Sequence, residues 1–107
     1  MYEGCAADLK MEKVISMDAV FDEEIHCCKI YKYDAEEDYI LLLLEEDNIA
    51  AISLDAKYDC TIGTKAELLS CSGTVKERYQ CEKGNMLVFQ IENGFYSVPA
   101  DSKKIIN

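Results

Sequence analysis

The stretch from Gly73 to Pro99 constrains the fold more than any other part of the chain. It reads Gly73-Thr-Val-Lys-Glu-Arg-Tyr-Gln-Cys81, then Glu82-Lys-Gly-Asn85, Met86-Leu-Val-Phe-Gln-Ile91 and Glu92-Asn-Gly-Phe-Tyr-Ser-Val98. Two runs rich in β-formers meet at Gly84-Asn85, and a third follows Asn93-Gly94, the strongest short hairpin signal a sequence offers. The spacing predicts a three-stranded antiparallel meander. A two-residue loop at Asn93-Gly94 pairs Ile91 with Tyr96 and Phe89 with Val98 on one face, because side chains alternate along a strand. A two-residue loop at Lys83-Gly84 would set Arg78 opposite Phe89. A three-residue loop over Lys83, Gly84 and Asn85 instead sets Cys81 by Leu87, Tyr79 by Phe89 and Glu77 by Ile91. A one-residue slip turns every side chain over. The three-residue loop sorts charge from apolar surface better, and it puts Asn85 in the left-handed conformation that asparagine tolerates.

At 107 residues the chain is expected to form a single domain. A domain of that size buries roughly 65% of its unfolded surface, enough for a core without staples. The longest apolar run, Tyr39 to Leu44, is far short of a membrane span. The opening residues Met1-Tyr2-Glu3-Gly4 carry no basic segment leading to an apolar core, so a cytoplasmic location is expected. Net charge is −10, from 21 acids against 11 bases, and Arg78 is the sole arginine. A phosphate backbone or an anionic membrane surface would be repelled, so neither nucleic acid nor membrane is expected as a partner. Six cysteines (Cys5, Cys27, Cys28, Cys60, Cys71 and Cys81) stand without a Cys-x-x-Cys pair, and His26 is the only histidine. Zinc sites bring ligands in such close pairs, so the thiols read as packing residues and no cofactor is expected.

Along the chain, Met1 to Glu24 is the least regular part. Ala6 to Glu12 carries helix formers, Met11 to Met17 equally suits a strand, and Asp18 to Glu24 reads as an acidic, exposed connection. The expectation is a short N-terminal arm or helix over 1–23, leading to a barrel over 24–106. Ile25 to Tyr33 is rich in β-formers. Tyr39 to Leu44 has helix-forming leucines, but Glu45-Glu46 would sit at the negative end of a helix, so the strand reading is preferred. Ile49 to Leu54, Tyr58 to Ile62 and Ala66 to Cys71 read as further strands, and Lys103 to Ile106 as a last edge strand or tail. Short strands separated by frequent turns indicate an all-β barrel or sandwich.

The order of these elements from Glu24 to Val98 resembles the small β-barrels of the PilZ superfamily. The residues that carry the resemblance are Ala51-Ile52-Ser53-Leu54, Gly63 to Leu69, and Gly73-Thr-Val75 leading to Leu87-Val-Phe89. It is similar also to the non-binding barrel that precedes PilZ in flagellar-brake proteins. The resemblance implies a six- or seven-stranded antiparallel split barrel. Many PilZ domains bind cyclic di-GMP through an Arg-x-x-x-Arg segment and an Asp/Asn-x-Ser-x-x-Gly motif. With Ser53 as the motif serine, the two flanking positions are Ala51 and Ala56, and a chain whose one arginine is Arg78 has no arginine pair. Lys10 and Lys13 cannot reproduce bidentate phosphate contacts. The resemblance therefore implies the fold without cyclic di-GMP.

Two functional readings follow. One is a non-enzymatic interaction or regulatory barrel with a protein partner or a second copy of itself, using Tyr31, Tyr33, Tyr79 and Tyr96 as an aromatic surface. The other is a ligand-binding or enzymatic barrel with a pocket around Glu77, the charge that the expected register sets on the apolar face, together with buried cysteines. A thiol–imidazole pair from His26 with Cys27 or Cys28 is disfavoured, because neighbouring strand residues point apart and no third orienting group is evident.

Overall fold

Apolar residues alternate with polar ones through most of the strands, and this period of two sorts the chain into an inner and an outer face. In the computed structural model, which describes residues 2–98, six strands form an antiparallel closed barrel. They are β1 (Ala6–Val14), β2 (Ile25–Asp34), β3 (Tyr39–Leu44), β4 (Ala56–Gly63), β5 (Leu68–Cys81) and β6 (Gly84–Val98). Their order around the barrel is β1-β2-β3-β6-β5-β4, and β4 pairs back onto β1. The all-β expectation holds, with Tyr39–Leu44 as a strand whose Ile40, Leu42 and Leu44 point inward. No helix among the described residues is long and apolar enough to cross a membrane.

The N-terminal arm is corrected to a barrel strand. Ala7, Leu9 and Met11 alternate with exposed or half-exposed neighbours and are buried in the core, and β1 pairs with both β2 and β4. Helix propensity over Ala6 to Glu12 yields to two-sided pairing and a period-two apolar face. The barrel therefore begins at Ala6 rather than at residue 24. Ile49–Ala51 is likewise a 3-10 turn and not part of a strand. The suggested edge strand at Lys103 to Ile106 lies outside the described residues.

The meander is corrected as well. β6 runs without a hairpin through Asn93-Gly94, because one strand must border β3 with its first half and β5 along its whole length. Ser72 pairs with Asn93, and Gly73 pairs with Ile91, so the Asn-Gly site falls in an irregular stretch of the ladder where β6 holds extra residues. Asn93 Nδ2 donates to Ser72 Oγ at 2.9 Å. A type I′ turn requires positive φ at both central residues, and neither Asn93 nor Gly94 adopts it. The β5–β6 turn is the pair Glu82-Lys83, flanked by Cys81 and Gly84 as partners. Gly84, not Asn85, takes the positive φ of 128°. A second irregularity between Val75 and Glu77 sets Val75 opposite Phe89, Glu77 opposite Val88, Arg78 opposite Leu87 and Tyr79 opposite Met86. Lys76 is the extra residue there, which keeps Val75 and Phe89 in the core while the charges that follow turn outward.

Gly73 marks a close approach between the two long strands. A Cβ there would lie 1.9 Å from the backbone oxygen of Gln90. Only the absence of a side chain lets β5 and β6 cross at this point. Gly73→Ala should lower stability by about 2–4 kcal/mol, because backbone on both strands must shift to admit a methyl group. A urea midpoint equal to that of the parent protein would show that the approach is not this close in solution.

Candidate functional site

Strand direction decides which connections meet. β1 ends, β2 begins, β3 ends and β4 begins at one mouth of the barrel, so the 15–24 connection and the 45–55 connection lie together there. The C-terminal half of β5 reaches the same mouth, bringing Arg78. Between these parts is a cleft of 390 Å3 lined by Met11, Asp18, Ala19, Val20, Asp22, Ala50, Ala51, Ser53, Leu54, Asp55 and Arg78. The guanidinium of Arg78 is committed to backbone. Its Nη1 donates to the carbonyl oxygen of Ile52, with the carbonyl of Ala50 at 3.4 Å, and so fastens the 3-10 turn to β5. Tyr58, inside the barrel, accepts a hydrogen bond from the Ser53 amide at 2.9 Å. Burial pushes the Tyr58 phenol upward.

His26 stands near this mouth, second in β2. It faces inward from β2 and is 1% exposed. Nε2 lies 2.6 Å from Asp22 Oδ2 and Nδ1 lies 2.7 Å from Glu46 Oε2, so the ring bridges the two connections. Burial opposes a charge on the ring, but the hydrogen bonds and charges of Asp22 and Glu46 outweigh it and raise the pKa above its ordinary value. The Asp22 carboxyl is held below its usual range, first by the amide of Glu24 at 2.9 Å and then by His26. With both nitrogens occupied by carboxylates, His26 is not available to activate a thiol.

The cysteines divide by face. Cys28, Cys60 and Cys71 are buried, whereas Cys27 and Cys81 are exposed. Burial drives the Cys28 thiol up to about 12. Cys60 and Cys71 are opposite one another on β4 and β5; that thiol contact, together with burial, raises Cys60 well above the ordinary range. The carboxylate of Asp8, followed by burial, raises Cys27. Among the described residues, no group of three or more His, Cys, Asp or Glu side chains could hold a metal ion.

The anticipated site residues do not come together. Glu77 is exposed on the outer part of β5 and does not line the cleft, so the pocket expected around it is corrected to the one at the loop mouth. The register irregularity just before it removes Glu77 from the apolar face. The tyrosines are shared between the two ends. Tyr33 packs at the opposite mouth with Tyr2 and Phe95, at ring-centroid distances of 5.6 and 5.4 Å. Tyr96 is exposed at that same end, on the C-terminal part of β6. Tyr31 is an extra residue in β2 under Lys83, whose Nζ is 5.7 Å from the ring centroid, and Tyr79 lies on the β5–β6 extension. They do not make one aromatic surface.

The exposed apolar residues gather elsewhere. Ile15, Met17, Val20, Phe21 and Ile25 all show large exposed surfaces within or beside the 15–24 connection, Met17 fully and Val20 at 83%. Leu54 is exposed on the facing connection and lines the cleft with Val20. Sequence reasoning passed over this segment because its acids marked it as solvated. The signal present was Val20-Phe21, two large apolar residues in a connection with no strand to bury them. Asp22 and Glu46 were passed over because neither lies beside His26 in any regular repeat. Compared with known proteins, the chain matches no family model, no curated protein and no solved structure.

The distribution of thiols makes a direct test. Under native conditions a thiol reagent should label Cys81 and Cys27 first, Cys27 more slowly than a free cysteine because its thiolate is disfavoured. Cys28, Cys60 and Cys71 should react only when the barrel opens. Mass mapping that finds Cys60 or Cys71 labelled as early as Cys81 would contradict the closed barrel.

Proposed function

We propose that this chain is a non-enzymatic, PilZ-like interaction barrel that functions without cyclic di-GMP and docks a basic, apolar segment of a partner protein at the cleft mouth. The observation that carries this reading is the concentration of exposed apolar side chains on the 15–24 connection, of which Val20 lines the cleft together with Leu54. Contiguous exposed apolar surface rimmed by polar groups marks an interaction site more often than isolated residues do. Charge complementarity supports a basic occupant. Asp18, Asp22 and Asp55 line the cleft, the Arg78 cation is already bonded to carbonyls, and the whole chain carries −10. The same charge disfavours a second copy of the chain as the occupant. The non-enzymatic part is supported by the chemistry of the groups present: His26 has both nitrogens engaged, and the Cys28 and Cys60 thiols are held protonated. The PilZ-like part rests on the sequence pattern.

A short amphipathic Leu/Lys peptide should bind saturably in fluorescence anisotropy, and its Leu/Glu counterpart should not. The double variant Val20→Asp, Leu54→Asp should weaken binding by about tenfold or more, since each exchange removes an apolar contact surface. Both residues are exposed, so the fold should survive. Equal affinity for the two peptides, or an unaffected double variant, would overturn the reading.

Cyclic di-GMP is a dianion that a site must meet with cations and stacking planes. The one guanidinium here is bound to the carbonyl of Ile52, with that of Ala50 at 3.4 Å. Isothermal titration at micromolar protein should show no heat above dilution. A saturable isotherm with a low-micromolar midpoint would show that other residues had replaced the arginine pair.

A further inference from the structure

The bridge through His26 can form fully in only one protonation state. A neutral imidazole has one N–H and one bare nitrogen lone pair. Here each ring nitrogen faces a carboxylate oxygen, at 2.6 and 2.7 Å. A carboxylate only accepts, so both contacts are hydrogen bonds when the ring is the imidazolium. In the neutral ring, itself buried, one nitrogen lone pair would confront the oxygen of a carboxylate that is only partly exposed. The two acids come from different connections: Asp22 from the segment that carries Met17, Val20 and Phe21, and Glu46 from the segment that follows β3.

We propose that Asp22, His26 and Glu46 form a pH-operated clasp, in which the imidazolium ties the 15–24 connection to the 45–55 connection and deprotonation frees the 15–24 connection and weakens docking at the cleft. The docking half rests on the interaction reading above; the clasp itself does not.

The surrounding groups are consistent with the ring as the titrating element. Opposite His26 on β1 is apolar Leu9, and the charges on either side of it, Asp8 and Lys10, are opposite Cys27 and Ile25. On β2 itself the Cys28 thiol donates to the His26 carbonyl at 3.9 Å and stays protonated. After β3, Glu45 lies 3.9 Å from Lys29, on the outside. From β4, Tyr58 lies within electrostatic reach of Asp22 and of Arg78 on β5. The raised pKa of His26 means that its stabilising contribution is complete below about 6.5 and is lost as pH rises through the higher folded value. The lowered pKa of Asp22 means that its contribution is present above the usual carboxylate range and is lost as pH falls through the lower folded value. The clasp is closed between those two limits.

Because His26 is the only histidine, its ring nitrogens can be followed by NMR without ambiguity. Both should carry the imidazolium signature below a midpoint that lies above about 6.5. Amide hydrogen exchange in 16–24, corrected for the intrinsic pH dependence, should be slow below that midpoint and accelerate above it. Asp22→Asn and Glu46→Gln should each lower the midpoint, and His26→Gln should abolish the step in exchange. A midpoint at or below the ordinary value, or protection of 16–24 that is unchanged across the titration, would overturn the clasp. Affinity for the Leu/Lys peptide, measured at about 0.5 M salt so that charge attraction is screened within a few ångströms, should fall about tenfold across the same midpoint. Equal affinity on both sides would overturn the control of docking and leave docking intact. A peptide that never binds, alongside the expected NMR and exchange steps, would overturn docking and leave the clasp standing.

Discussion

The pairing of β1 with β4 is the contact on which the rest of the structure depends. It joins the first strand to the fourth and turns an open sheet into a ring, so that Leu9 meets Cys60 and Met11 meets Tyr58 across the seam. Closure removes the free edges that an open sheet would present. It also dictates the mouth. The residues between Val14 and Ile25, which join two adjacent strands, lie at the barrel opening, where they line the cleft. Asp22 is thereby carried over the inward-facing His26, and the apolar residues beside it are left facing solvent.

Much of the fold could be read from short-range pattern, and the misreadings have a common cause. The inward set Ile40, Leu42 and Leu44 follows from the strand reading of Tyr39–Leu44, and alternation over Tyr58, Cys60 and Ile62 shows in the residues themselves. Ala7, Leu9 and Met11 alternate just as clearly, but they sit among helix formers, and only the two flanking partners make the strand reading win. Asn93-Gly94 has every local mark of a hairpin. Whether such a pair turns the chain or is absorbed as an irregularity depends on how far the neighbouring strand continues, and that is a property of β5, more than twenty residues away at its start.

The same limit governs the candidate site. His26 stood out in the sequence as a single histidine, and the register of β2 settles that it points inward. Its partners lie four residues before it and twenty after it, on connections whose paths follow from closure. Arg78 is a similar case. Its place in β5 could be expected, whereas its attachment to the carbonyl of Ile52 required the 3-10 turn that replaced an expected strand. Acidity was legible at once, and its meaning was not. A net charge of −10 serves solubility anywhere on a surface, and only the geometry gathers Asp18, Asp22 and Asp55 beside Val20 and Leu54.

Beyond Thr74, no strand among the described residues pairs with the outer side of β5, although the β5–β6 ladder runs on to Cys81 and Gly84. Here the ring offers what closure denies elsewhere: a short rail of backbone donors and acceptors open to any extended chain. The residues along it are Lys76, Glu77, Arg78, Tyr79 and Gln80, and all five are exposed. Charges of both signs on an overhanging rail make it a poor template for stacking one molecule upon the next, because a neighbour would have to desolvate them. That sequence acts as a gatekeeper. It lets β5 run on beyond its last β4 partner without offering a neighbouring molecule an apolar template.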